Sequence, residues 1–174
     1  GSQVTVSVAA HDVDSSMLLY AFDFDSDGIV DVGPQASNEA SWTYGSIGTK
    51  NVTVHVSDTS GGTTTATQSV LITPRAITIT ADAKSKTYGD ADPAFTYQIT
   101  TGNLVGSDQF TGALSRVSGE NVGTYAIEQG SLALSSNYTL SCAGSNLSIT
   151  PRSLTVSADA KTKIYGDADP AFTY

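Results

Sequence analysis

Residues Ile72 to Tyr97 read ITPRAITITADAKSKTYGDADPAFTY, and 77 residues further on Ile149 to Tyr174 read ITPRSLTVSADAKTKIYGDADPAFTY. Twenty of these 26 positions are identical, and the second copy runs to the last residue of the sequence. A fixed period of this size marks stacked supersecondary units, so the expectation is a stretch cut from a tandem array. Arrays serve as stalks, spacers and binding surfaces far more often than as catalysts. Working outward from the copies gives three segments: 3–74, 75–152 and a partial unit at 153–174.

Both full segments read as β-structure. In the first, Val4, Val6 and Val8 alternate, as do Leu18, Tyr20, Phe22 and Phe24, then Val52, Val54 and Val56, then Val70 and Ile72. Turn-forming runs rich in Asp, Ser and Gly separate them, and short alternating strands with such turns indicate an antiparallel sandwich. In the second, Ile77-Ile79, Phe95-Tyr97-Ile99, Tyr125-Ile127, Leu132-Leu134 and Leu147-Ile149 continue the pattern. Leu104 to Ser115 is ambiguous between a short helix and a crossing loop, with two glycines arguing against a long helix. The fold class expected is therefore mainly β.

Composition narrows the function. Acidic residues outnumber basic ones 17 to 8, for a net charge of −9. Nucleic acid and anionic membrane surfaces would repel such a chain, whereas cations would be attracted. Cys142 is the single cysteine, so no intrachain disulfide forms, and its place in the alternating run Tyr138-Leu140-Cys142 suits a small buried residue. No apolar run approaches the roughly 18 residues of a membrane span. Gly1-Ser2 reads as a remnant of cloning, and export or anchoring signals are expected outside this stretch.

The clearest chemistry lies in Asp23-Phe24-Asp25-Ser26-Asp27-Gly28-Ile29-Val30-Asp31. Carboxylates stand at relative positions 1, 3, 5 and 9, a glycine at 6 permits a sharp turn, and the carbonyl of Ile29 is available at 7. Calcium needs about six to eight oxygens at about 2.3–2.6 Å, and this spacing wraps alternate side chains around one point. Asp23, Asp25, Asp27, Ile29 and Asp31 are thus the candidate calcium ligands. Pro34 stands where a helix-loop-helix calcium site carries a bidentate Glu, so further ligands are sought from Asp12, Asp14, Asp58 or water. The alternative is a solvated acidic turn.

Other candidates are weaker. The histidines His11 and His55 lack the converging partners of a zinc site, with His55 expected to point away from the inward valines. Trp42 and Tyr44 alternate on a strand, where burial is expected before sugar stacking. Lys50 and Lys86 are the candidate donors of a Lys–Asn isopeptide crosslink, for which no specific sequence feature speaks. No nucleophile elbow, phosphate loop or Ser-x-x-Lys motif occurs.

The order Tyr20-Ala21-Phe22-Asp23-Phe24-Asp25, Trp42-Thr43-Tyr44 with Gly48, Val52 to Asp58, and Gly61-Gly62 resembles the polycystic-kidney-disease (PKD) repeat. That resemblance implies an immunoglobulin-like sandwich, usually extracellular and non-catalytic; Phe22 departs from a common Trp, and the acidic loop is longer than usual. Lys86 to Pro93, Phe110 to Arg116 and Asn121 to Ile127 resemble the MBG domain of YGX type, found in tandem in very large bacterial surface and secreted proteins. It implies adhesin-like architecture and a β-rich or β-grasp-like fold, with no defined ligand.

Tyr88-Gly89-Asp90 and Asp92-Pro93 have a structural reading and a functional one. In the first, Gly89 supplies a positive φ, Asp90 and Asp92 bond nearby amides, Pro93 fixes the entry to the Phe95 strand and Tyr88 packs its ring. In the second they form an acidic, aromatic ligand site or another calcium site. The favoured whole is a non-catalytic, extracellular module of a bacterial repeat adhesin, a calcium-stiffened spacer on the cell surface or on a secreted protein. Its partners are neighbouring repeats and a host or cell-surface glycan or protein. The alternative is a glycan-binding or accessory module of a secreted polysaccharide-degrading enzyme; exposed aromatics would favour it. The partial unit 153–174 is expected to pair with a sheet edge, by completing the preceding unit or by strand exchange with a neighbour.

Overall fold

The computed structural model describes residues 1–13 and 17–174. The protein is all-β, with no helix among the described residues. Two hydrophobic cores organise it.

The first core lies between two antiparallel sheets. One pairs β1 (Ser2–Ser7) with β4 (Glu39–Tyr44). The other runs in the order β3 (Val32–Gln35), β2 (Leu18–Asp23), β5 (Gly48–Asp58) and β6 (Thr63–Ile72). Alternation decides what is buried: Val52, Val54 and Val56 of β5 share the buried face of their sheet with Tyr20 and Phe22 of β2 and pack in one core with Phe24, while His55 between them is exposed. Val4, Val6 and Val8 close the core from the opposite side. Trp42 stacks on Phe24 at 5.6 Å between ring centroids, and the buried Tyr44 hydroxyl donates to the Phe24 carbonyl at 2.7 Å.

The second core is enclosed by the sheet β12 (Tyr138–Ala143), β7 (Arg75–Ala81), β9 (Tyr97–Thr101) and by the sheet β10 (Ser115–Arg116), β11 (Gly123–Glu128), β13 (Ser145–Thr150), β8 (Lys84–Thr87). β7 and β8 are consecutive but belong to different sheets, and so are β12 and β13. The opening pair meets the closing pair in parallel register, Ile77 opposite Leu140 and Lys86 opposite Ile149. Ile77, Ile79, Ile127, Leu147 and Ile149 fill the space between, each almost wholly buried. A second sheet, not a helix, covers this core, so the β-rich arrangement holds without the helix of a β-grasp. Leu104 to Leu114 is the crossing loop, ending where β10 begins at Ser115, and Leu132 to Leu134 contributes only an isolated bridge, Ala133 opposite Thr111.

Residues 151–174 form no strand within this chain, which corrects the expectation that they complete the preceding unit. Leu154, Val156, Phe172 and Tyr174 are all exposed. The reason is visible in the intact unit, where the equivalents β7 and β8 are held by β12 and β13, strands with no second copy in the sequence. Local structure survives nonetheless. Asp159 N donates to Thr173 O at 2.9 Å as Asp82 N does to Thr96 O, and Asp167 N donates to Ile164 O at 3.1 Å as Asp90 N does to Thr87 O.

Ile79, fully buried on the central strand β7, makes a sensitive probe of the second core. Ile79→Ala is expected to lower unfolding free energy by about 2–5 kcal/mol, measured by urea denaturation, whereas deleting 153–174 leaves the transition unshifted.

Candidate metal centre and charge network

The acidic loop leaves β2 at Asp23 and returns at β3. Ligand atoms of Asp23, Asp25 and Asp27 lie within 4.8 Å of one another. Asp23 is 2% exposed; its Oδ2 accepts the amide of Gly28 at 2.9 Å, and its Oδ1 is buried without any hydrogen-bond partner. A buried carboxylate oxygen left unpaired is costly. The loop is shaped by its own side chains: Asp25 Oδ1 accepts Asp27 N at 3.2 Å, Asp27 Oδ1 accepts Ile29 N at 2.7 Å, and Gly28 takes φ +90° at the turn. Ser26 holds φ +56°, supported by its hydroxyl bonds to the Asn51 carbonyl and Thr53.

Asp31 is used differently. Its Oδ2 accepts the amide of Phe24 at 2.7 Å and its own amide donates to Phe22 O at 2.8 Å, which staples the two ends of the loop. It is not in the three-carboxylate group, and Ile29 has an exposed side chain. Burial opposes ionisation of Asp23, but amides of Gly28, Ser26, Asp25 and Asp27 more than offset it and hold the carboxyl below its ordinary 3.8. Loss of solvent around Asp25, with the charges of Asp27 and Asp31, pushes that carboxyl above its ordinary value.

Asp58 cannot join this group. β2 and β5 are antiparallel, with Leu18 opposite Asp58 and Asp23 opposite Thr53, so Asp58 sits at the far end of β2, about 17 Å of strand away. Its Oδ1 instead accepts the amides of Ser60 at 2.8 Å and Gly62 at 2.7 Å. Asp12 lines a cleft together with Asp58 at that far end, and Asp14 lies outside the described residues.

A second set of charges escaped the sequence reading. Lys86 Nζ lies 2.6 Å from Asp92 Oδ1 and 2.6 Å from Glu120 Oε2, and Arg116 Nε lies 2.6 Å from Asp92 Oδ2 and also pairs with Glu120. Both cations are largely buried while Glu120 is exposed, so the carboxylates lid the cations. Arg116 further donates to the carbonyls of Val117 and Gly119 and covers the ring of Tyr125 at 5.4 Å. Arg116 and Lys86 hold the Asp92 carboxyl down at about 2, and the Glu120 carboxyl is also lowered. Asp92 thus binds cationic side chains, and Asp90 pairs with Arg152, where amides were expected for both. Gly89 has its positive φ, +87°, but the ring of Tyr88 is half exposed. Lys86 is committed to two carboxylates and is charged, opposite to what amide formation needs, and Lys50 Nζ donates to Ser46 Oγ at 3.0 Å. The recurrence of Lys86 and Asp92 as Lys163 and Asp169 was a usable signal; Arg116 and Glu120 carried none.

Cys142 is half-buried, and burial pushes its thiol up, which disfavours the reactive thiolate. Among the described residues, no helix is long and apolar enough to cross a membrane.

These features define an all-β module whose ordered charges brace loops. The family described as MBG domain (YGX type) matches residues 77–148 and 154–174, more than half of the chain, and the chain belongs to that family. MBG domains are a non-catalytic module type and occur in extracellular bacterial proteins. No curated protein matches the chain.

The network dictates acid behaviour. Because Asp92 titrates at about 2 in the folded protein against 3.8 ordinarily, its contribution is complete above about pH 4 and is lost as pH falls toward 2. Asp92→Asn is expected to lower the melting temperature at pH 7 and to flatten its dependence on pH across that window, measured by circular dichroism melts at stepped pH.

Proposed function

We propose that this chain is a non-catalytic, extracellular segment of a bacterial repeat adhesin, a spacer whose N-terminal sandwich is stiffened by calcium. In this reading 3–74 is a PKD-like, immunoglobulin-like domain, 75–152 an MBG unit and 153–174 the opening of the next, within a tandem array. The observation that carries the calcium assignment is Asp23 Oδ1, a buried and unpartnered carboxylate oxygen beside the carboxylates of Asp25 and Asp27. A hard cation supplies what that oxygen lacks. Asp23, Asp25 and Asp27 would hold it, with the Ile29 carbonyl, Asp31 and water as the remaining ligands in reach by sequence. Partners in this reading are neighbouring repeats and a cell-surface glycan or protein.

The spacer is favoured over the glycan-binding accessory module by the placement of aromatics. Tyr20, Phe22, Phe24 and Tyr44 are buried, and Trp42 is packed on Phe24. Outside the terminal segment, Tyr88 is the exposed large aromatic among the described residues, and one ring makes no stacking row.

Calcium bound only to the folded state raises the melting temperature in proportion to the logarithm of its concentration above Kd. Titration of the chelator-treated protein should show that rise at pH 7, and Asp23→Asn should remove it; an unchanged melt across millimolar calcium would sink the assignment. The sign of the pH effect follows from Asp25. Its carboxyl is raised in the metal-free fold, so ionisation weakens that fold as pH climbs through the raised value. Calcium offsets the repulsion, and the calcium-induced shift should therefore shrink on acidification as Asp25 takes up its proton.

A further inference from the structure

Arg75 and Arg152 hold the same place in the two copies, each after Ile-Thr-Pro, yet they act differently. Arg75 opens β7 and its Nη1 donates to Asn103 Oδ1 at 3.0 Å, within its own unit. Arg152 reaches backward: its Nε donates to the Tyr88 carbonyl at 2.8 Å, and its Nη2 pairs with the Asp90 carboxylate. What precedes each arginine explains the contrast. On the side of the first domain, Arg75 shares a cleft with Tyr44, Gly45, Ser46 and Ile47, none of which carries a carboxylate. Before Arg152 lies β13, which runs parallel to β8 as far as Thr150 opposite Thr87, and Thr150 O then accepts the Tyr88 amide at 2.8 Å. The ladder therefore delivers Pro151-Arg152 onto the Tyr-Gly-Asp turn.

We infer that the Tyr-Gly-Asp turn of one MBG unit is the docking site for the arginine that opens the next unit, so that Arg152 on Tyr88 and Asp90 is the joint between the two. This rests on the tandem-array reading. The turn is suited to the task because it forms locally: in the terminal copy, which has no sheet, Gly166 takes φ +91° beside +87° at Gly89, the Asp167 amide still closes on Ile164, and Lys163 still pairs with Asp169. A guanidinium is the fitting partner because one planar fork serves a backbone carbonyl and a carboxylate together, which an ammonium cannot match. The two arginine roles are compatible, since Arg75 uses Nη1 and Arg152 uses Nε and Nη2. With both side chains about half exposed, at 54% and 51%, the joint biases the path of the chain and does not weld it.

The test is amide exchange and ¹⁵N relaxation on the whole chain, comparing wild type with Arg152→Ala, Arg152→Lys and Asp90→Asn. Arg152→Ala is expected to speed exchange at the Asp90 amide by about two- to five-fold, the range an exposed pair can carry, and to lower the order of 153–158. Arg152→Lys should recover less than half of that. Amides of β7 and β13 serve as the control and stay unchanged. Unaltered exchange at Asp90 and unaltered relaxation at 153–158 in Arg152→Ala overturn the joint. The array reading is probed by a different observable: native-like shifts for the turn at 164–167 in wild type support it and random-coil shifts there count against it, whereas exchange at Asp90 in Arg152→Ala reports the Arg152 contact alone.

Discussion

The parallel register of β7 with β12 and of β8 with β13 is the constraint on which the second half of the protein depends. Between β7 and β8 the chain crosses from one sheet to the other at the same place as it does between their partners β12 and β13. Ile77 and Ile79 share their core with Leu147 and Ile149, which come back across it about 70 residues later. Parallel ladders require long crossovers, so the unit cannot be assembled hairpin by hairpin. The terminal segment shows the consequence: it carries the opening sequence almost unchanged, keeps its turns, and exposes Leu154 and Val156 for want of closing strands.

Charge is handled in two ways in a chain with an acidic excess. Around Lys86 and Arg116 the carboxylates of Asp92 and Glu120 sit against buried cations, and each cation is shared by both carboxylates, so loss of either carboxylate would leave two buried cations on one counter-charge. In the loop from Asp23 to Asp31 no cationic side chain is present. There the carboxylates are satisfied by amides, by the Gly28 turn and by the staple from Asp31 to Phe24, and one oxygen of Asp23 remains over. The same residue type thus braces one loop by ion pairing and another by hydrogen bonding, and only the second leaves coordination capacity pointing inward.

Much of this was legible from residues in order. Alternation placed Phe22, Val54, Ile79 and Leu147 in the cores, because a strand's side chains repeat every second residue whatever it pairs with. The glycine turn at Gly89 and the three grouped carboxylates were readable for the same local reason. Pairing partners were not. Alternation carries no information on whether β7 meets a parallel or antiparallel neighbour, and proximity in sequence gave no hint that Arg116 and Glu120 would cap Lys86. Asp58 looked available to the acidic loop until the register put it at the other end of β2. The run Leu104 to Ser115 was ambiguous because its apolar residues, Leu104, Phe110 and Leu114, dip into the core from an irregular path, which has no period to detect.

The two ends of the MBG unit are built unequally. At its start, Arg75 is spent inside the unit, and contact with the sandwich comes from elsewhere, through Asn137 Nδ2 donating to the Gly45 carbonyl at 3.2 Å. At its finish, Thr150, Tyr88, Asp90 and Arg152 continue the order of the β13–β8 ladder past the last paired residue. A boundary of the first kind joins unlike domains by a contact either could lose. A boundary of the second kind uses residues that both copies carry, since Arg75, Tyr88 and Asp90 recur as Arg152, Tyr165 and Asp167, so the contact at the end of the unit is made by groups that the unit and the partial copy after it both contain.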